Sequence, residues 1–336
     1  MTAFRFFTLK DFQIMMDFSL DPVFAVNHLI WFNFKTFSFV GLYLLAALAF
    51  PLAIWLLLKL PFPRFMTGLS AIAGNTAQSV MKQPIFSILL IFGLMAILIF
   101  PWVPYNTLGE DVKIMKSQGL TVIKVLGILL AVWSAGTAIS EEIEEKTALT
   151  LLSKPISRRQ LIIGKFLGII LGVSIFFTVL STVFMPTCAM KVVHDAREQC
   201  QTEPETAACL ASMATTVPGL ALSFMEIVMM TAVTVALSTR LPMVPNLTLC
   251  TTIYALGHLI PLMVKSSIGQ FQIVGFVGNL LSAILPVLTY FSLETTAGGG
   301  GAISLSYLMG AAAYCFLYSL VALCVALILF EDRDLA

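Results

Sequence analysis

Charge-free apolar runs recur along this 336-residue chain, most of them long enough to cross a bilayer. Hydrocarbon offers no partner for a peptide group, so a spanning segment outside a closed barrel must be a helix. About 20 apolar residues cover ~30 Å of hydrocarbon. Residues 39–58 lie between Lys35 and Lys59, residues 85–103 between Lys82 and Glu110, and residues 120–139 carry only Lys124, near one end. Residues 161–185, 220–238, 247–264 and 303–330 repeat the pattern. With 59% hydrophobic and 11% charged residues and a mean hydropathy of +0.96, the composition is far from that of soluble domains. The expected fold is all-α, a polytopic transmembrane helix bundle in a lipid bilayer.

One further run is ambiguous. Residues 271–291 are apolar but interrupted by Gly275, Gly278, Asn279 and Pro286. Broken segments survive at membrane depth where protein or a water-filled cavity covers them, so a re-entrant or short paired helix is favoured over a span. That choice also sets the side of the tail, residues 331–336. Residues 1–35 mix Phe with Trp31, His28 and acids, an interfacial pattern with aromatic anchors. Asp11, Asp17 and Asp21 argue against a cleavable signal peptide. A net charge of +1 gives no reason to expect nucleic acid.

The strip 141–165, EEIEEKTALTLLSKPISRRQLIIGK, concentrates charge between two spans. Glu141, Glu142, Glu144 and Glu145 would prolong the preceding helix into water. Residues 147–154 then set Ala148, Leu149, Leu151 and Leu152 on one side and Thr150 and Ser153 on the other, a short amphipathic helix that Pro155 ends. Such a helix needs an apolar surface to lie on. Ser157 followed by Gln160 matches a capping box, with Arg158 and Arg159 in the first turn of the next helix. Cations gain nothing from the dipole there, so anionic headgroups, the glutamates or an acidic groove are their expected partners. Lys146, Lys154, Arg158, Arg159 and Lys165 mark this side as cytoplasmic, and alternation of spans brings Lys59, Arg64, Lys82 and Arg240 to the same side. Residues 106–119 and 187–218 are then outer loops, where Lys113, Lys116, Lys191 and Arg197 are offset by neighbouring acids.

The Glu-rich helix end at 141–145, Thr147, the Leu-Leu-Ser-Lys-Pro at 151–155, the Ser-Arg-Arg at 157–159, then Gly164, Lys165 and Gly168 follow one another in a recognisable order. That order resembles the cytoplasmic loop of type-2 ABC transporter permeases, especially the branch with the permeases of nitrous-oxide-reductase maturation. Residues 286–291 with Leu293, and the closing 330–335, extend the resemblance from about residue 71 to the end. It implies a half-transporter of six core helices within 71–336, paired with a second permease copy, identical or related. A separate ABC ATPase subunit would dock on the coupling helix 147–154, using Glu142, Glu145, Thr147, Leu149, Leu151, Leu152, Lys154, Pro155, Arg158 and Arg159. An interfacial connecting helix would fall at 71–83, with Gln78, Lys82 and Gln83 facing water. Residues 1–70, with the span at 39–58, are additional to this pattern. ATP and magnesium would belong to the partner ATPase, since the one Gly-Lys pair here, Gly164-Lys165, is followed by Phe166 and forms no phosphate loop.

Other residues stand out singly. Gly164, Gly168 and Gly172 form a small-residue stripe that admits another backbone, within the chain or in a dimer. Glu226 lies alone between Glu205 and Arg240, and an ionisable group inside a span is a functional candidate. Counted from Leu220 it sits near the outer end, where snorkelling or a bond to a neighbouring helix competes with a place in a translocation path. His258 is deeper, a packed core histidine or a proton relay. Cys200 and Cys209 form a candidate outer disulfide, and no Cys/His spacing matches a metal site. Asn246 opens a glycosylation triplet on the wrong side, and Gly298 to Gly301 form a flexible connection.

The expected function is therefore the non-catalytic permease subunit of an ATP-driven exporter in a prokaryotic cytoplasmic membrane. An ion-gradient-driven transporter would instead place buried paired charges near the midplane, for which Glu226 and His258 are the candidates. An integral membrane enzyme would cluster His with acids at one face, and the strip's glutamates lack a histidine.

Overall fold

Among the described residues, six helices are long and apolar enough to cross a bilayer. The computed structural model describes residues 64–103, 105, 110–141, 157–198, 206–265, 272–292 and 303–331. In chain order these form α1 (Arg64–Lys82), α2 (Pro84–Ile99), α3 (Asp111–Ala135), α4 (Arg158–Glu198), α5 (Thr206–Ser238), α6 (Met243–Lys265), α7 (Gln272–Ile284) and α8 (Leu305–Glu331). A tight turn, Phe100–Trp102, ends α2, and a widened π-helical turn, Gly136–Glu141, ends α3. Among the described residues there is no strand. The expected span at 39–58 and the rest of residues 1–63 lie outside the described residues.

Side-chain contacts fix the register of the bundle. The ring of Phe86 meets Phe176 at 5.7 Å and Trp102 meets His194 at 5.9 Å, so α2 and α4 run in the same direction. α3 runs against them, with Gly119 on Phe184 near one end and Ala138 beside Lys165 near the other. Gly93, halfway along α2, abuts Leu126 and Leu180. Those three residues mark the mid-depth of the bundle. At about 1.5 Å per residue, Arg158 lies ~33 Å to one side of Leu180 and Glu198 ~27 Å to the other. Half the hydrocarbon is only ~15 Å, so the 41-residue α4 overshoots both membrane faces.

This overshoot corrects two expectations. The stretch 187–218 is not an extended outer loop: α4 continues to Glu198 and α5 is helical from Thr206. Its charges fall at helical spacing, Lys191 with Asp195 and His194 with Glu198, both i,i+4 pairs. Likewise α3 begins at Asp111, well before the apolar run at 120–139.

α1 lies along the first turns of α4. Gly164 faces Ile72 and the Leu69 carbonyl, Gly168 faces Thr76 and the Ala73 carbonyl, and Gly172 faces Val80. The small-residue stripe therefore serves packing within the chain. α1 buries Leu69, Ala73, Ala77 and Val80 and exposes Asn75, Gln78, Ser79 and Lys82. Gln83 differs from expectation: it is half-buried, and its amide donates to Thr137 Oγ1 at 2.7 Å.

α7 has 13 residues, ~20 Å of helix, too short to span. Gly278 packs on Val264, and the Pro286 carbonyl reaches Gly257, so the segment dips back beside the last turns of α6. A second short turn, Leu288–Phe291, follows. Tyrosines of α8 serve the broken backbone: Tyr314 Oη accepts from Val287 N–H at 3.1 Å, and Tyr318 and Tyr307 donate to the Ile284 and Tyr290 carbonyls. The segment is re-entrant. Glu331, at the end of α8, accordingly comes beside Arg159 at the start of α4.

Candidate functional site

Mid-depth of the bundle holds a buried ionic triad. α3 contributes Lys124, α5 contributes Glu226 and α6 contributes His258. Lys124 Nζ lies 3.0 Å from Glu226 Oε2, and His258 Nε2 lies 2.9 Å from Oε1. The Glu226 carboxylate is wholly buried, the Lys124 side chain is 7% exposed and the His258 side chain 26%. Leu126 of the mid-depth layer is half a turn from Lys124, and the neighbouring Gly127 packs on Ile227. Glu226 is thus ~30 Å from the start of α5 at 1.5 Å per residue. The expected position near the outer end does not hold, because Glu226 meets Lys124 beside the layer of Gly93, Leu126 and Leu180. Tyr254 stacks edge-on against His258 at 4.9 Å.

Thr231, Thr234 and Ser238 on α5, and Thr178 on α4, return their hydroxyls to their own helix carbonyls. Asn246 is buried and donates to Ser238 Oγ at 2.7 Å. A charge at this depth is costly unless paired, and the triad is where this bundle accepts that cost.

The second feature is the junction flanking the charged strip. Ser157 and Gln160 form the expected capping box: Ser157 N–H donates to Gln160 Oε1 at 2.9 Å, and Gln160 N–H donates to Ser157 Oγ at 3.3 Å. Opposite, the π-helical turn widens the end of α3, and the Ala138 carbonyl within it accepts from the buried Lys165 ammonium. Lys165 is therefore a tie between α3 and α4, not a surface charge. Arg159 is exposed and pairs with Glu331 at 3.4 Å. Glu142, Glu145, Thr147, Leu149, Leu151, Leu152, Lys154 and Pro155 lie outside the described residues; of Arg158 only the helical backbone is described.

At the opposite end a polar cluster braces α3 to α4. Lys191, 1% exposed, lies 2.9 Å from Asp195, 3.8 Å from Asp111 and 5.4 Å from the Tyr105 ring centre. Burial, and then the Asp111 charge, push the Tyr105 hydroxyl pKa up. His194, Asp195 and Glu198 bring one ligand atom each within 4.8 Å of one another, a set that could hold a divalent ion. Lys191 already neutralises Asp195 there, which supports a structural brace. Cys209 is a free thiol and Cys200 lies outside the described residues, so the expected disulfide is not seen.

Residues 66–335 match the model of the ABC-2 family transporter proteins. The chain belongs to that family. No curated protein matches it. As an ABC-2 transporter protein it is a multi-pass membrane transport component, and members of this family normally work with an ABC ATPase. Of the site residues picked from sequence, the ABC-2 bundle brings Glu226 and His258 together and sets Gly164, Gly168 and Gly172 against α1. Lys124 was missed. Its signal was present, since a lysine within an apolar run needs a buried acid or a route to water, but the run at 120–139 placed it near a span end.

Proposed function

We propose that this ABC-2 protein is the permease subunit of an exporter, driven by a separate ATPase that pushes on residues 147–154. One observation carries the coupling: the two helices that bound the strip are tied to each other through Lys165 and the Ala138 carbonyl, and the second of them starts in a capping box. A force on the strip would pass into α3 and α4, and α3 carries Lys124. The strip's order of residues further supports membership of the branch that serves nitrous-oxide-reductase maturation, in a prokaryotic cytoplasmic membrane, with two permease copies enclosing the path. ATP and magnesium would bind the partner.

The test has two parts. An ABC ATPase should co-purify with the chain in mild detergent, and its absence removes the coupling. Leu152→Glu should insert normally yet lose ATP-dependent transport; normal transport in that variant removes 147–154 as the docking element. Transport into inverted vesicles, scored for direction, tests export. The buried triad also favours a second mechanism, ion-gradient drive. Transport that survives ATP depletion and collapses with an ionophore would establish it.

A further inference from the structure

We infer that the triad is a cargo site that takes up an anionic group together with a proton on His258. The inference rests on the chain being a transporter and goes on to the chemistry of what it carries. Lys124 and Glu226 cancel each other's charge, and both Glu226 oxygens are engaged, one by Lys124 and one by His258. A neutral His258 donates Nε2–H to Oε1 and leaves the cluster uncharged. Its second ring nitrogen has no partner among the described residues. Protonation converts that nitrogen into a donor and gives the cluster one net positive charge. An anion at the exposed edge of His258 restores neutrality, so proton and anion enter as a pair.

Access and environment agree with this. Of the three side chains, His258 is the one substantially exposed. Thr251, about two turns before His258 and on the same face of α6, is exposed. The titratable groups facing His258 are Lys124 from α3, Glu226 from α5 and Tyr254 on its own helix. On the α7 side the Pro286 carbonyl and Leu288 meet the adjacent Gly257. From α8, Cys315 donates to the Met225 carbonyl.

The test titrates decanesulfonate, whose charge does not change with pH, into the purified chain in maltoside micelles by calorimetry, from pH 6 to pH 8.5. One proton per anion predicts that affinity falls about tenfold per pH unit once His258 is deprotonated in the free protein. His258→Gln keeps a donor for Glu226 but cannot take a proton, so binding should be weak and independent of pH. Glu226→Gln acts in the opposite direction: Lys124 is then unbalanced, and binding should persist at pH 8.5. Methanesulfonate binding with the same pH slope would assign the site to water-borne anions, and decanesulfonate binding alone to membrane-borne ones. Wild-type affinity that is flat with pH overturns the inference, as does His258→Gln matching wild type at pH 6; these two results stand even if Glu226→Gln fails to fold. The measurement uses the permease alone, so loss of the ATPase partner would sink the coupling and leave this result intact, and the reverse holds too.

Discussion

Lys124 and Glu226 neutralise each other at a depth where an unpaired charge is costly. Removing one partner of a buried pair leaves an uncompensated charge, at a cost of about 3–5 kcal/mol. Lys124→Met should therefore lower stability by about that amount, while the double variant Lys124→Met/Glu226→Gln should recover most of it. Thermal unfolding in micelles reads both, and a double variant as unstable as the single one would show that the pair is not the source. Glu226 and His258 were legible as lone ionisable residues in apolar runs. Their partnership was not, because depth was counted from where each apolar run starts. Helices that project into water keep going through charged residues such as Asp111 and Lys191, whose own pairs stabilise them.

At the scale of elements, the stripe on α4 shows what a sequence pattern does and does not carry. Gly164, Gly168 and Gly172 announce a close backbone approach, yet the same spacing suits an intrachain helix or a second copy. The structure selects α1. A Cβ at Gly168 would sit 2.5 Å from Thr76 Cβ and 2.6 Å from the Ala73 carbonyl. Backbone cannot give way cheaply, so Gly168→Ala should destabilise by about 1–3 kcal/mol. The oligomeric state, measured by light scattering in detergent, should not change; a shift to smaller species would reassign the stripe to a dimer contact. The capping box at Ser157 and Gln160 was legible in full, because its bonds reach only three residues along the chain. The tie from Lys165 to Ala138 was not, because it spans the whole strip.

At the scale of the molecule, the re-entrant α7 leaves six spans among the described residues and returns the end of α8 to the strip's side. Cysteines placed at Arg159 and Glu331 should react with a membrane-impermeant maleimide from one face, and one placed at Ser304 from the other; reaction of Arg159 and Glu331 sites from opposite faces would make α7 a span. The sequence by itself determined the class of molecule. Apolar length, the period of amphipathic faces, caps and breaks are properties of single segments, because the hydrogen bonds that satisfy a helix are local and lipid enforces them. The tertiary structure alone decided which segments meet and at what depth. Lys124 finds Glu226 102 residues further along the chain, and Arg159 finds Glu331 172 residues further along. Such pairings follow from many small packing contacts summed over whole helix faces, and no single segment contains that sum.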